Sequence, residues 1–324
     1  METLSQQNLE MKLFAGSSNI ELAQKIADEL GVELGVLTLS HFADGEVGAR
    51  VEETVRGKDI YFIQSTSNPV NDNLMEALIV IDAMRRASAH TINFIIPYYG
   101  YARQDRKSRG REPISAKLVA NLITTAGADR VICVDLHAPQ IQGYFDIPLD
   151  HFACGPIIGE YFKTKIKTEA DKEEWVVVSP DLGGVTRARK LADILGLPIA
   201  IIEKHRPRPN ESEILNIIGE YGGKNCIIID DIIDTAGTIT NAANILTETG
   251  AKKVYISATH GVLSRNAVER IENSAVEECI ISDTILQPKE KMSPKIKQVS
   301  VAPLIAKAIK RINNHQSVSG LFNK

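Results

Sequence analysis

The chain has 324 residues, a formal net charge of −4, 44% hydrophobic residues and 24% charged residues. That length predicts two domains of about 150 residues each. The slightly negative charge argues against a protein whose main partner is nucleic acid. No apolar run approaches the roughly 18 residues of a membrane span, and the polar first residues lack an apolar signal core. We therefore expect a cytoplasmic globular protein without a membrane partner.

The four cysteines are widely spaced and form no Cys-x-x-Cys pair. Two of them fall in apolar runs that read as buried strands. This pattern predicts buried thiols rather than disulfides or a zinc site. The cysteines are Cys133, Cys154, Cys226 and Cys279.

The first half of the chain alternates strand patterns and helix patterns, which is typical of a parallel sheet flanked by helices. Residues 12–31 predict a strand, a Gly-Ser-Ser-Asn turn that can cap a helix, and a helix closed by Gly31. Asp44 and Gly45 predict a turn between Phe42 and a further strand.

Residues 98–111 form the most cationic run in the sequence, in which arginines and lysines are mixed with tyrosines. Such a run can stack on and neutralise RNA, can be a solvated loop, or can meet a nucleoside triphosphate at the end of the preceding strand. The position directly after a strand favours the nucleotide.

Residues 121–137 and 244–260 align without gaps, with Asn, Thr, Gly, Ala, Val and His at matching places. This internal similarity predicts two halves of similar build that arose by duplication, with a boundary near residues 150–155. The alternative is chance similarity between two helix-strand units.

The stretch from Cys226 to Thr240 combines a buried strand, three acids, a loop of small residues and a helix start. A helix N-terminus presents unpaired N–H groups that bind phosphate. Carboxylates repel a phosphate held at the same place, so sugar hydroxyls or a metal ion suit them better. The stretch therefore predicts a sugar phosphate ligand. The alternative is an ordinary helix cap at Asp234 or Thr235, with the other acids solvated.

Three further places carry candidate functional residues. His137 closes a strand, where it is either structural or a ligand. Asp181 precedes two glycines at a strand-to-helix junction, where it either helps to hold a metal-bound pyrophosphate or starts a turn. The basic stretch 204–210 contains two prolines that exclude a regular helix, so it is either a cationic lid or an exposed turn.

The sequence contains no Walker A motif and no Gly-x-Gly-x-x-Gly motif, nor a Gly-x-Ser-x-Gly elbow. The DDIIDTAGT string resembles the ribose-phosphate motif of the phosphoribosyltransferase fold. From about Lys12 to Ile312 the chain resembles the ribose-phosphate pyrophosphokinase family. The motifs that carry the resemblance are FADGE (42–46), PVNDNLME (69–76), IPYYGYARQDRK (96–107), VDLHAPQIQGYFDIP (134–148), SPDLGGVTRARK (179–190), KHRPRP (204–209) and DDIIDTAGT (230–238).

The resemblance implies an α/β protein with two tandem phosphoribosyltransferase-like domains, each a mostly parallel sheet flanked by helices and related by duplication. It implies residues 1–152 for the ATP-side domain, 153–302 for the ribose 5-phosphate domain, and 303–324 for a closing helix and a frayed tail. The implied reaction moves the diphosphoryl group of ATP to the 1-hydroxyl of ribose 5-phosphate with Mg²⁺, giving phosphoribosyl pyrophosphate and AMP.

The resemblance also implies a role for each matching residue. The implied ATP contacts are Phe42, Asp44, Gly45, Glu46, Arg103 and Gln104. The implied magnesium ligands are His137 and Asp181, and the implied catalytic residues are Lys204 and Arg206. The implied ribose 5-phosphate contacts are Arg206, Asp230, Asp231, Asp234, Thr235, Ala236, Gly237 and Thr238.

Members of the family are commonly homohexamers controlled by ADP and inorganic phosphate, and the resemblance implies both properties here. Two other classes share some of these features. A silent regulatory paralogue is expected to lack catalytic-loop or metal residues, which this chain retains. A phosphoribosyltransferase shares the DDIIDTAGT site but needs neither the duplication nor the FADGE segment. The chain departs from the family pattern at His205 and in residues 262–271, and neither departure removes an implied contact.

Overall fold

The computed structural model describes residues 10–205 and 214–321. They divide into two compact units. Unit 1 consists of Met1–Phe152, Thr284–Leu286 and Ala302–Lys324, and unit 2 consists of Ala153–Asp283 and Gln287–Val301. Among the residues described, no helix is long and apolar enough to cross a membrane.

Unit 1 contains a five-stranded parallel sheet with the order β1-β4-β5-β6-β7 and an antiparallel hairpin of β2 and β3. Its elements are β1 (Met11–Ala15), α1 (Ile20–Leu30), β2 (Leu37–His41), β3 (Val47–Val51), β4 (Asp59–Ile63), α2 (Val70–Arg86), β5 (Thr91–Ile96), α3 (Ser115–Ala126), β6 (Arg130–Val134) and β7 (Leu149–Phe152).

Local sequence explains where these elements begin and end. The Asn19 side chain accepts a hydrogen bond from the Leu22 N–H at the start of α1, and Gly31 ends the helix in the left-handed conformation at φ 68°. These are the cap and the stop that the sequence predicts. The central strands are apolar on both faces because helices cover the sheet, and Phe62 stacks on Phe94 with ring centroids 5.5 Å apart.

Unit 2 contains a seven-stranded sheet with the order β10-β9-β8-β11-β12-β13-β14, in which all neighbours except β9 and β10 are parallel. Its elements are β8 (Trp175–Ser179), β9 (Ile199–His205), β10 (Ile214–Ile218), β11 (Asn225–Ile233), β12 (Lys253–Gly261), β13 (Val276–Ser282), β14 (Ile296–Val299), α4 (Gly155–Lys163), α5 (Glu169–Glu173), α6 (Val185–Leu195), α7 (Gly237–Glu248) and α8 (Ala267–Glu272).

The two units repeat one strand order, because β1-β4-β5-β6-β7 has the same sequence of crossovers as β8-β11-β12-β13-β14. Leu34 even forms a single parallel bridge with Leu13 of β1, on the side where β9 pairs with β8. The predicted fold class is confirmed. The two aligned stretches occupy different places in this order, however, since β6 is the fourth strand of its series and β12 is the third.

The last helix, α9 (Ala302–Asn313), groups with unit 1 and packs against α1. It buries Ile305 and Ile309 on one face. The sequence indicates this helix but not its packing partner, because an amphipathic face does not specify which surface covers it.

All four cysteines are buried and none forms a disulfide. Burial raises the pKa of the Cys226 and Cys279 thiols to about 12. These two side chains are therefore neutral packing groups at physiological pH, as the sequence predicts.

Candidate functional site

Asp230 and Asp231, two of the three acids in the stretch from Cys226 to Thr240, lie inside β11 rather than after it. β11 pairs with β8 only as far as Ile228 but continues alongside β12 to Ile233. Its last five residues therefore have one uncovered edge, and Asp230 and Asp231 belong to that part. The sequence predicts a strand that ends before these acids. That boundary is wrong because β11 continues beside β12 after its pairing with β8 has ended.

This uncovered edge lies where the strand order reverses direction. β9 lies on one side of β8 and β11 lies on the other. In open α/β sheets, ligands bind outside the carboxyl ends of the strands at such a point. Asp230, Asp231 and the loop that follows them therefore lie at the position where such folds bind ligands.

The small-residue loop after β11 leads directly into α7. Ala236 adopts the left-handed conformation at φ 61° and is the N-cap of a helix that begins at Gly237. The first N–H groups of α7 have no partners within their own helix, so they are available to an anion. Arg270 of α8 donates a hydrogen bond to the Thr235 carbonyl at 3.1 Å, which adds a cation beside the loop.

Asp230 and Asp231 share one arginine. Arg187 Nη1 lies 3.0 Å from Asp230 Oδ1, and Arg187 Nη2 lies 3.4 Å from Asp231 Oδ1. The Asp231 N–H also donates to Asp230 Oδ1 at 2.8 Å. Burial and the neighbouring Asp231 carboxylate raise the pKa of Asp230 to about 7, although the arginine opposes the shift.

Asp181 forms a tight turn between β8 and α6. Its Oδ1 accepts the Gly184 N–H at 2.8 Å, and its carbonyl accepts a hydrogen bond from Ser179 Oγ at 2.7 Å. A Cβ on Gly184 would lie 2.9 Å from Ser179 Oγ. Asp181 therefore does form a turn. Its side chain is also exposed at the carboxyl end of β8.

The FADGE residues form the tip of the β2–β3 hairpin in unit 1. The Phe42 N–H donates to the Glu46 carbonyl at 2.8 Å, and the Glu46 N–H donates to Asp44 Oδ1 at 3.1 Å. Gly45 has a φ of 95°, which a residue with a side chain rarely adopts. The Phe42 side chain is 61% exposed, so its ring is available for stacking.

Arg103 and Gln104 follow β5, and His137 follows β6, so these three residues lie at the same edge of the unit 1 sheet. The segment is anchored by the buried Asp105, which accepts a hydrogen bond from Gln140 Nε2 at 2.6 Å. Arg103 and His137 are exposed. The cationic run is therefore anchored to the fold at Asp105, and the cations that follow Asp105 are exposed.

The remaining candidates fall in the least described part of the chain. Lys204 is in the main-chain ladder of β9, opposite Leu215 of β10. Its side chain and all of Arg206 lie outside the described residues. The metal candidates His137 and Asp181 belong to different units, and each is described by itself.

In unit 1, side chains of the protein occupy the region after β1 and β4, which corresponds to the region after β8 and β11 in unit 2. There the buried Glu76 accepts hydrogen bonds from the Ser17 N–H at 2.8 Å, from Ser17 Oγ at 2.7 Å and from Gln64 Nε2 at 2.6 Å. A Cβ on Gly16 would lie only 2.5 Å from Gln64 Oε1. The loops after β1 and β4, which correspond to those after β8 and β11, therefore leave no space for a ligand between them.

Arg187 and Arg270 are the site residues that sequence reasoning missed. Arg187 lies in a motif that the sequence singles out, but its partners are more than forty residues further along the chain. Arg270 lies within the atypical segment 262–271 that follows β12. In neither case does a local pattern indicate the contact.

Duplicated parallel sheets with a small-residue anion loop at a switch point define an α/β protein of the phosphoribosyltransferase-like class. Family models match residues 11–127 as the N-terminal domain of ribose phosphate pyrophosphokinase and residues 204–323 as a phosphoribosyl synthetase-associated domain. The chain belongs to the ribose-phosphate pyrophosphokinase family.

Similarity to known members extends over nearly the whole chain. The ribose-phosphate pyrophosphokinase of Bacillus subtilis (strain 168) is 60% identical over 313 residues, which are 97% of this chain and 97% of that protein. The Corynebacterium ammoniagenes protein of the same name is 58% identical over 316 residues, 98% of each chain. The crystal structure of phosphoribosylpyrophosphate synthetase from Mycobacterium smegmatis has a TM-score of 0.88 at 46% identity, and the match covers 94% of this chain and 99% of that one.

Proposed function

We propose that this protein transfers the diphosphoryl group of ATP to O1 of ribose 5-phosphate, giving 5-phosphoribosyl 1-pyrophosphate and AMP for nucleotide biosynthesis. Its membership of the family supports this reaction. The observation that carries the proposal is the carboxyl end of β11, where two strand carboxylates precede a small-residue loop at the start of α7. A ribose with a 5-phosphate has the hydroxyls and the phosphate that these two features suit.

The sugar is held at both ends in this proposal. Asp230 and Asp231 accept hydrogen bonds from ribose hydroxyls, and the loop from Asp234 to Thr238 binds the 5-phosphate through main-chain N–H groups and hydroxyls. Asp230 and Asp231 precede this loop, and the phosphate meets the positive end of the α7 dipole rather than these two carboxylates.

The nucleotide is held by unit 1. The Phe42 ring stacks on adenine, the hairpin tip at Asp44, Gly45 and Glu46 adds polar contacts, and Arg103 and Gln104 complete the set. Stacking on an exposed aromatic ring combined with a nearby cation is a common way to hold a nucleotide.

In this proposal His137 of unit 1 and Asp181 of unit 2, each considered by itself, would contribute one donor to Mg²⁺. Mg²⁺ usually binds one or two carboxylates, with water and substrate phosphates completing the octahedron. Residues 10–205 and 214–321 contain no group of three or more His, Cys, Asp or Glu side chains that could hold a metal by themselves. When bound with ATP, Mg²⁺ would neutralise phosphate charge.

The chemistry then depends on positioning and charge. O1 of the sugar forms a bond to the β-phosphorus of ATP. The bond between that phosphorus and the oxygen that bridges it to the α-phosphorus breaks, so AMP leaves with this oxygen. The proton of the sugar hydroxyl passes to solvent. Lys204 and Arg206 stabilise the charge that develops on the bridging and leaving oxygens. In this proposal the site also excludes water during the reaction, because water would otherwise hydrolyse ATP.

The assembly in this proposal is a homohexamer that responds to ADP and inorganic phosphate. Sedimentation of active enzyme at assay concentration tests it. A hexamer is expected, and a monomer that retains full activity contradicts it.

The reaction is tested by ³¹P NMR of the protein with ATP, Mg²⁺ and ribose 5-phosphate. AMP and phosphoribosyl pyrophosphate are expected to rise together, and only when the sugar is present. Formation of ADP would indicate an ordinary kinase instead. Absence of turnover with inorganic phosphate present would favour a regulatory paralogue, and consumption of added phosphoribosyl pyrophosphate with a base would favour a phosphoribosyltransferase.

A further inference from the structure

Arg187 bridges the two strand carboxylates with two different nitrogens. Nη1 is 3.0 Å from Asp230 Oδ1, and Nη2 is 3.4 Å from Asp231 Oδ1. The guanidinium is planar and rigid, so contacts from both nitrogens restrict the carboxylates relative to each other. A lysine, which has one ammonium, cannot reproduce this arrangement.

The fold accounts for the place of this arginine. β8 pairs with β11 only as far as Val178 and Ile228, and α6 begins a short turn later and packs against β11. Arg187 is the third residue of α6. It therefore lies alongside the part of β11 that no longer has a strand on that side.

The contacts also assign the two oxygens of Asp230. Oδ1 accepts hydrogen bonds from Arg187 at 3.0 Å and from the Asp231 N–H at 2.8 Å. Among the described residues, Oδ2 of Asp230 accepts no hydrogen bond. One oxygen is thus engaged by the protein and the other remains for a ligand.

Charge balance gives the arginine a second role. The Asp231 side chain is 6% exposed and the Asp230 side chain is 33% exposed. Two adjacent, partly desolvated carboxylates repel each other, and burial disfavours their ionised forms unless a cation compensates. An ionised carboxylate only accepts hydrogen bonds, whereas a protonated carboxyl also carries an O–H donor, so the ionised form suits donating sugar hydroxyls better.

We infer that Arg187 is a positioning residue of the sugar site, which orients Asp230 and Asp231 and compensates their charge so that Asp230 Oδ2 meets the ribose diol. This inference rests on the proposed function. It concerns the affinity for ribose 5-phosphate, because the arginine acts on carboxylates that hold the sugar before and during transfer. Loss of such uniform binding raises KM and leaves kcat nearly unchanged.

The first experiment compares Arg187→Met, Arg187→Lys and a control, Arg189→Met. Arg189 is exposed on the same helix, so its replacement removes the same charge and length from α6. The Kd for ribose 5-phosphate is measured by calorimetry, and KM and kcat are measured with ATP saturating. Arg187→Met is expected to raise Kd and KM about tenfold or more, as for a lost hydrogen bond to a charged group. Arg187→Lys is expected to fall between it and the wild type, and Arg189→Met to behave as the wild type.

A double-mutant cycle with Asp230→Asn separates positioning from a general effect of positive charge. If Arg187 acts through Asp230, Arg187→Met costs little further affinity once Asp230→Asn is present. Equal losses in both backgrounds would overturn the inference, as would an unchanged Kd in the single variant. Circular dichroism identifies a variant that fails to fold, in which case Arg187→Lys and its cycle decide the question.

Measurements on wild-type protein distinguish failure of the role of Arg187 from failure of the proposed function. If wild-type protein binds ribose 5-phosphate and forms product, an unaffected Arg187→Met variant overturns only the role of Arg187. If wild-type protein does not bind ribose 5-phosphate, the proposed function fails and the role of Arg187 fails with it.

Discussion

The guanidinium of Arg270 donates a hydrogen bond from Nη1 to the main-chain carbonyl of Thr235 at 3.1 Å. The same nitrogen lies 2.9 Å from where a Cβ on Gly237 would be. The glycine at the start of α7 therefore makes room for an arginine of the protein itself. This arginine fixes the loop that we propose for the 5-phosphate and adds positive charge beside it.

Replacement of this glycine is expected to weaken the binding of ribose 5-phosphate. In Gly237→Ala the new methyl group displaces the Arg270 guanidinium, so the loop carbonyl loses its donor, which is worth about 1.5 kcal/mol for a charged partner. We expect KM for the sugar to rise about tenfold in steady-state assays. Gly222→Ala is the matched control, since no atom lies within 4 Å of its Cβ position. Equal KM values in the two variants would contradict the role of Arg270.

The Phe42 ring is expected to contribute to ATP binding and not to stability. Its side chain is 61% exposed, and stacking on a base contributes about 1–3 kcal/mol. Phe42→Ala should therefore raise KM for ATP about tenfold while the melting temperature stays the same. Ile20→Ala, which removes another exposed apolar side chain from unit 1, should change neither value. An unaltered KM for ATP would remove Phe42 from the nucleotide site.

Lys204 and Arg206 are expected to act on turnover. In the roles that we propose, each replacement by alanine removes a cation that stabilises charge in the transition state, which is expected to cost about 3 kcal/mol or on the order of 100-fold in kcat. The change in ribose 5-phosphate affinity should be smaller. Rapid-quench and steady-state measurements check this, with the exposed Lys167→Ala as the control. Full turnover in both variants would rule out the catalytic assignment.

The raised pKa of Asp230 predicts a pH dependence of stability in the ligand-free protein. Burial and the neighbouring Asp231 raise the Asp230 pKa from its ordinary value of 3.8 to about 7. Between these values the folded protein holds a proton that the unfolded chain has released, so this contribution is complete below pH 4 and is lost as pH rises through 7. The melting temperature of the wild type minus that of Asp230→Asn should fall from pH 4.5 to pH 7.5. A constant difference would show that Asp230 titrates normally.

The buried network of Gln64 and Glu76 beside Gly16 in unit 1 predicts an effect on stability. In Gly16→Ala the new methyl group would lie 2.5 Å from Gln64 Oε1 and 2.9 Å from Glu76 Oε1, so the buried polar network must move. We expect the free energy of unfolding to fall by about 2 kcal/mol or more in urea titrations. Gly143→Ala, at an open position, should cost far less. A stable Gly16→Ala protein would mean that the network has room to adjust.

The order of elements follows from sequence patterns alone, but the extent of β11 does not. Apolar runs, glycine stops and the Asn19 cap indicate the parallel sheets, and motif resemblance indicates the family. Asp230 and Asp231 look like loop residues because charged side chains are unusual in a buried strand. Their place in β11 depends on continued pairing with β12 after the pairing with β8 has ended, and nothing within residues 226–240 carries that information.

The ion pair between Arg187 and Asp230 likewise cannot be predicted from the sequence. Arg187 and Asp230 come together only because α6 and β11 are neighbours in three dimensions, across 43 positions of the chain. The internal similarity of residues 121–137 and 244–260 correctly suggests two similar halves. It nevertheless pairs strands from different places in the two sheets, since helix-strand units of one kind resemble each other throughout an α/β fold.

The packing of α9 on α1 has a consequence for how the molecule is made. The ribosome synthesises residues 302–313 only after every strand of unit 2 has been synthesised, yet these residues cover part of the first unit. The apolar surface of α1 that α9 covers thus has no partner for most of the time that translation takes. The first unit cannot complete its folding until nearly the whole chain has been made.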